Sequence, residues 1–134
     1  MLSRPKILIV EDTKSMSDLY VYKLSPHFDV LVAATVYDAN RIFQDNNGDF
    51  ELIIFDYQVP SRPDSGLLSP GDNTECIVQK IKRDGFTKPM IATSSEPKYR
   101  TKLMNAGCTH ESEKLKAAEM TLDLLFCESG PRTL

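Results

Sequence analysis

Asp56 closes a run of four apolar residues, Leu52-Ile53-Ile54-Phe55, and Pro60 follows it after Tyr57-Gln58-Val59. An unbroken apolar run suits a strand covered on both faces by helices, and Pro60 ends any simple continuation as strand. In an open parallel sheet the carboxyl ends of the strands face the ligand crevice, so an acid placed there points into a site. Alone, such an acid is more often a strand end on a solvated rim. Two further runs change that weighting: Ile7-Leu8-Ile9-Val10 ends in Glu11-Asp12, and Met90-Ile91-Ala92-Thr93 ends in Ser94-Ser95. As parallel neighbours these strands gather three carboxylates and at least one hydroxyl in one crevice.

Carboxylates about 4 to 6 Å apart repel by several kcal/mol per pair at an effective dielectric of about 20, and a cation relieves them. A hard divalent ion fits. Mg²⁺ keeps several waters and is held by one or two carboxylates plus phosphate oxygens, which makes Asp12 and Asp56 the candidate ligands, with Glu11 acting through water. Such a site receives phosphate. Asp56 is then a candidate nucleophile toward phosphorus, since carboxylates form aspartyl phosphates. Ser94, at the end of one strand, and Lys114, just past another, are the candidates to complete the coordination of the phosphoryl oxygens.

The elements that must position these groups alternate along the chain. Met16, Leu19, Tyr20 and Leu24 fall on one face of a helix over 14–24, closed by Pro26; Asp29 to Ala34 reads as a second strand, and Ala39, Ile42 and Phe43 mark a short second helix. Asp45 to Asp49 is rich in turn residues. After the Asp56 strand the periodicity fails from Pro60 to Gly71, an irregular loop of unusual length that carries Arg62 as a candidate phosphate or carboxylate contact and Leu67-Leu68 as an apolar pair suited to a partner surface. Helical spacing returns at Ile77, Val78 and Ile81, with Gly85 as cap. A fourth strand, Lys88 to Thr93, is followed by Glu96-Pro97, a helix start, and by the inner face Tyr99, Leu103 and Ala106, which Gly107 ends. Cys108 to Glu113 is too polar for a covered strand and is expected to be short and at a sheet edge. Leu115, Ala118, Leu122, Leu125 and Phe126 then form one helical stripe, and 128–134 reads as a frayed tail. Five such alternations predict an α/β fold, a parallel sheet sandwiched between helices.

Composition narrows the function. The 134 residues make one domain of ordinary hydrophobic (41%) and charged (26%) content, and a net charge of -3 provides no basic footprint for nucleic acid. No stretch is apolar enough over sufficient length for a signal peptide or a membrane span, so a cytoplasmic protein is expected. Cys76, Cys108 and Cys127 are odd in number and far apart, which argues for buried reduced thiols rather than a disulfide framework or zinc site. His27 and His110 lack a second ligand at metal-binding spacing.

Over residues 5–127 the chain resembles a response-regulator receiver domain, the CheY-like family of two-component signalling. The resemblance is carried by Glu11-Asp12, by Asp56-x-x-Val-Pro60, by Lys88-Pro-Met-Ile-Ala-Thr-Ser94, and by Ala106-Gly107 followed seven residues later by Lys114. It implies a flavodoxin-like (βα)5 three-layer sandwich with parallel sheet order 2-1-3-4-5 and a degenerate polar fifth strand. It also implies a stand-alone receiver in a phosphorelay, not an enzyme. Asp56 would accept a phosphoryl group from a histidine kinase or a histidine phosphotransfer protein, Mg²⁺ would be held by Asp12, Asp56 and the backbone carbonyl of Gln58, and Ser94 and Lys114 would contact the phosphate. The signal would pass by contact with an effector protein, the chain being a monomer or weak dimer with no nucleic-acid or membrane partner and no output domain after Phe126.

Two positions depart from the family pattern. Glu111 stands at the aromatic position of the fifth strand, so the usual aromatic coupling is absent. Leu115 replaces the proline after Lys114, and a trans peptide is expected there, since a cis bond before a non-proline residue costs about 2.5 to 4 kcal/mol. The alternative function is a receiver-like interaction module working without phosphorylation. A phosphatase of the haloacid-dehalogenase type needs a second acid two residues after the nucleophile, where this chain has Gln58. A flavin site needs a glycine-rich cradle where Glu11-Asp12-Thr13-Lys14 stands.

Overall fold

Alternation of apolar residues to opposite faces of one sheet explains the architecture. In the computed structural model, which describes residues 4–62 and 72–127, the strands are β1 (Lys6–Val10), β2 (Asp29–Ala33), β3 (Leu52–Asp56), β4 (Met90–Thr93) and β5 (His110–Ser112). They form one parallel sheet of order β2-β1-β3-β4-β5, as expected. The helices are α1 (Lys14–Leu24), α2 (Val36–Asp45), α3 (Glu75–Arg83), α4 (Pro97–Ala106) and α5 (Ala117–Leu122).

Successive strand residues point to opposite faces, and the two halves of the core follow that parity. Ile7, Ile9, Leu52, Ile54 and Ile91 pack with Tyr20 and Leu24 of α1 and with Ala117 and Ala118 of α5. Leu8, Val10, Ile53, Phe55 and Ala92 pack with Ala39 and Phe43 of α2, Ile77 and Ile81 of α3, and Leu103 of α4. All five residues of β3 are buried, the signature of a central strand covered on both faces.

Register brings the acids together. Val10 pairs with Phe55, so Glu11, one residue on, emerges beside Asp56; Asp56 itself pairs with Thr93, which places Ser94 at the same edge. Thr93 pairs in turn with Ser112, two residues before Lys114.

β5 is three residues long and lies at the sheet edge, as its polarity predicts. The last stripe is corrected at its start. Lys114–Lys116 is a 3-10 turn, and Leu115 within it is 64% exposed rather than on the inner face. The tighter winding of that turn shifts the phase, so the buried face of α5 begins at Ala117 and Ala118. A π turn, Asp123–Cys127, follows, and Phe126 stacks on Phe28 at 5.5 Å although partly exposed. Cys76 is exposed, against expectation, because α3 turns it away from the buried positions Ile77 and Val78; Cys108 is buried, and burial pushes its thiol up to about 12. Among the described residues no helix is long and apolar enough to cross a membrane.

Candidate acidic phosphoacceptor site

The carboxyl edge of the sheet holds a cavity of about 190 Å³ lined by Asp12, Asp56, Gln58, Ser94 and Lys114, among others. Glu11, 2% exposed, lies beside Asp12 and Asp56, with Oε2 accepting from the Thr13 amide at 3.2 Å. Lys114 Nζ reaches in from the 3-10 turn to 3.1 Å from Asp56 Oδ1 and 3.5 Å from Glu11 Oε1. The peptide after Lys114 is trans, as no described peptide bond is cis, and the side chain nevertheless points at Asp56. The three acids, Gln58, Ser94 and Lys114 thus meet in one place.

Burial of Asp56, followed by the charge of Glu11, raises its carboxyl to about 7, with Lys114 opposing the rise. Burial alone would lower the Lys114 ammonium, but Asp56 and Glu11 outweigh it and hold it above its ordinary value. One lysine thus sits between two buried acids and cannot fully neutralise both.

Ligand oxygens of Glu11, Asp12 and Asp56 all lie within 4.8 Å of one another, and Glu11 Oε1 is buried with no hydrogen-bond donor. An all-oxygen set in which Glu11 Oε1 has the Lys114 ammonium at 3.5 Å but no hydrogen bond suits a hard cation such as Mg²⁺, bound directly or through its waters.

Several supporting residues carry no signal at the level of sequence. Thr74, fully buried just before α3, donates its hydroxyl to the Asp56 carbonyl at 2.8 Å, while its amide donates to the Tyr57 carbonyl at 3.0 Å. Thr93 Oγ1 donates to the Phe55 carbonyl at 2.9 Å. Ser94 Oγ accepts from the Glu96 amide, and the Ser94 carbonyl accepts from Arg100 Nη1 at 2.7 Å. A buried threonine reads in sequence as core or cap; only the fold shows which carbonyl it holds.

Arg62 is not at the site. The carbonyls of Pro60 and Ser61 accept from the Val36 and Tyr37 amides at the start of α2, which carries the chain away from Asp56 and sets Arg62 over the Tyr37 ring at 5.7 Å. Leu67-Leu68 and the rest of 63–71 lie outside the described residues, as does 128–134.

The fold has structural counterparts. The CheY-like response regulator receiver domain protein of Methanospirillum hungatei is 23% identical, with a TM-score of 0.64 over 94% of this chain and 99% of that one. The chain has the receiver-domain fold. The chemotaxis protein CheY4 of Vibrio cholerae is 20% identical (TM-score 0.69, 92% and 97% covered). The signal receiver domain of an HD domain-containing protein from Pseudomonas fluorescens is 18% identical (TM-score 0.73, 93% and 86% covered). No protein-family model matches the sequence, and no curated protein matches it. The receiver fold is thus kept at identities where likeness speaks for architecture, and function has to be argued from the site.

Proposed function

We propose that this chain is a phosphoacceptor receiver of a two-component phosphorelay, taking a phosphoryl group on Asp56 and signalling through protein contacts. The observation that carries this reading is the convergence of Asp56, Glu11, Asp12, Ser94 and Lys114 on one edge of the sheet.

Each residue has a task in that chemistry. An Asp56 carboxylate oxygen attacks phosphorus, the P–N bond of a donor phosphohistidine breaks, and the imidazole leaves with the bonding pair. Asp12, Asp56 and the Gln58 carbonyl would hold Mg²⁺, with Glu11 acting through a metal-bound water. The ion would supply charge neutralisation at the phosphoryl oxygens. Lys114, paired with Asp56 at 3.1 Å before reaction, is placed to follow the charge onto the phosphoryl group. Ser94, at the edge of the same cavity, would donate its hydroxyl to a phosphoryl oxygen. The donor partner is a histidine kinase or histidine phosphotransfer protein, and the recipient of the signal is an effector protein.

The test is incubation with acetyl phosphate and Mg²⁺ followed by intact-mass measurement. Gain of one phosphoryl group, absent in Asp56→Asn, is the expected result. A persistent gain in that variant overturns Asp56 as acceptor, and no gain in the natural protein leaves the non-phosphorylated interaction module as the better reading.

A further inference from the structure

We propose that Tyr20 is the positioning residue for Lys114, its phenol fixing the backbone from which the ammonium reaches the acid pair; this rests on the phosphoacceptor reading. Tyr20 lies on α1, is 1% exposed, and donates its hydroxyl to the Lys114 carbonyl at 2.8 Å. Ninety-four residues separate the two. The bond therefore ties the first helix to the connection between β5 and α5, beside the reacting groups.

Lys114 has few other anchors. β5, which leads into it, is an edge strand of three residues, and Leu115, which follows it, is 64% exposed and contributes no buried side chain. The 3-10 turn is closed locally, by Lys116 N on the Glu113 carbonyl at 3.0 Å and by Ala117 N on the Lys114 carbonyl. Those bonds shape the turn without placing it against the sheet. Among the described residues, the Tyr20 hydroxyl is the hydrogen bond that another element gives to the Lys114 backbone, beside the ion pairs its side chain makes with Asp56 and Glu11.

Chemistry at this position favours a directed phenol over a bulk aromatic. Glu11 and Asp56 are near enough to raise the Tyr20 phenol further after burial has done so. A phenol in that field stays neutral and serves as a donor. It donates to the Lys114 carbonyl, leaving both carboxylates to the ammonium and to a cation. A phenylalanine would fill the same volume and lack that bond. Removal of the hydroxyl leaves the Lys114 carbonyl its Ala117 donor, so Tyr20→Phe is expected to fold.

The experiment is a double-mutant cycle. Initial phosphorylation rates from acetyl phosphate at saturating Mg²⁺ are measured for the natural protein, Tyr20→Phe, Lys114→Met and the double variant, with Mg²⁺ affinity measured alongside. Tyr20→Phe is expected to slow phosphorylation at least fivefold with Mg²⁺ affinity changed less than twofold, and to have no effect in the Lys114→Met background. An equal fold loss in both backgrounds, or no loss in the natural one, overturns the proposal. A second readout needs no phosphate: acetic anhydride labelling of Lys114, quantified by peptide mass against exposed Lys98. Labelling of Lys114 should rise severalfold in Tyr20→Phe, and unchanged labelling overturns the positioning role. A natural protein that takes up no phosphoryl group refutes the phosphoacceptor reading, while the labelling still decides whether Tyr20 holds Lys114.

Discussion

Arg100 Nε lies 3.2 Å from Glu111 Oε1, and the same guanidinium donates through Nη1 to the Ser94 carbonyl at 2.7 Å. The arginine, only 15% exposed in its side chain, joins α4, the loop after β4 and the edge strand β5. The Ser94 backbone and the outer strand are thus joined through one guanidinium, by a hydrogen bond on one side and an ion pair on the other. Arg100→Ala should raise amide exchange over Ser94 to Leu103, whereas Glu111→Gln, which removes only a half-exposed ion pair, should cost less than about 1 kcal/mol of stability. Hydrogen exchange with and without beryllofluoride checks this: unchanged exchange over 94–103 in Arg100→Ala would show the link to be idle.

Asp56 gives the metal-free protein a pH dependence of defined sign. Its carboxyl titrates near 7 in the folded protein against an ordinary value of 3.8 once the chain unfolds, so between these values the folded state binds the extra proton. Stability contributed by this group is present below about pH 4 and falls as pH rises toward 7. Asp56→Asn removes the dependence and should stabilise the metal-free protein at pH 8 by at least about 1 kcal/mol, since a tenfold change in a proton's binding constant between folded and unfolded chains is worth about 1.4 kcal/mol. Urea denaturation in EDTA from pH 4.5 to 8, read as the difference between the two proteins, measures it; a difference that grows toward low pH contradicts the assignment.

Mg²⁺ should act in the opposite direction. Titration with Mg²⁺ is expected to raise the midpoint of thermal unfolding at pH 8. Asp12→Ala should abolish most of that gain and Glu11→Gln a smaller part, because Asp12 is the proposed direct ligand and Glu11 the proposed water-mediated one. Equal stabilisation of Asp12→Ala and the natural protein would remove Asp12 from the site.

Thr74 offers a test of the support beneath Asp56. Thr74→Val keeps the shape and deletes the 2.8 Å bond to the Asp56 carbonyl, with an expected loss of about 1 to 2 kcal/mol from the unsatisfied buried acceptor. Phosphorylation by acetyl phosphate should slow as the backbone after β3 loosens. A stable variant with an unchanged rate would show that the Thr74 hydroxyl does not support the reacting groups.

The alternation of strands and helices was legible in the order of residues alone, while the strand order within the sheet came from the resemblance. Short apolar runs ending in Glu11-Asp12, Asp56 and Ser94, with helical spacing between them, set the element order, because a strand buried on both faces has no polar position to spare. The polar composition of His110-Glu111-Ser112 was sufficient to place β5 at an edge, where one face and one backbone side meet water. Contacts between residues far apart in the chain were not legible. The aim of Lys114 at Asp56, the Tyr20 and Thr74 hydroxyls on particular carbonyls, and the departure of Arg62 toward Tyr37 depend on distances set only when the helices dock. The phase of the last helix was hidden for a different reason: a 3-10 turn at Lys114–Lys116 breaks the 3.6-residue period on which the stripe from Leu115 was read. Periodicity records which face a residue takes within its element, whereas the tertiary structure decides which partner that face meets.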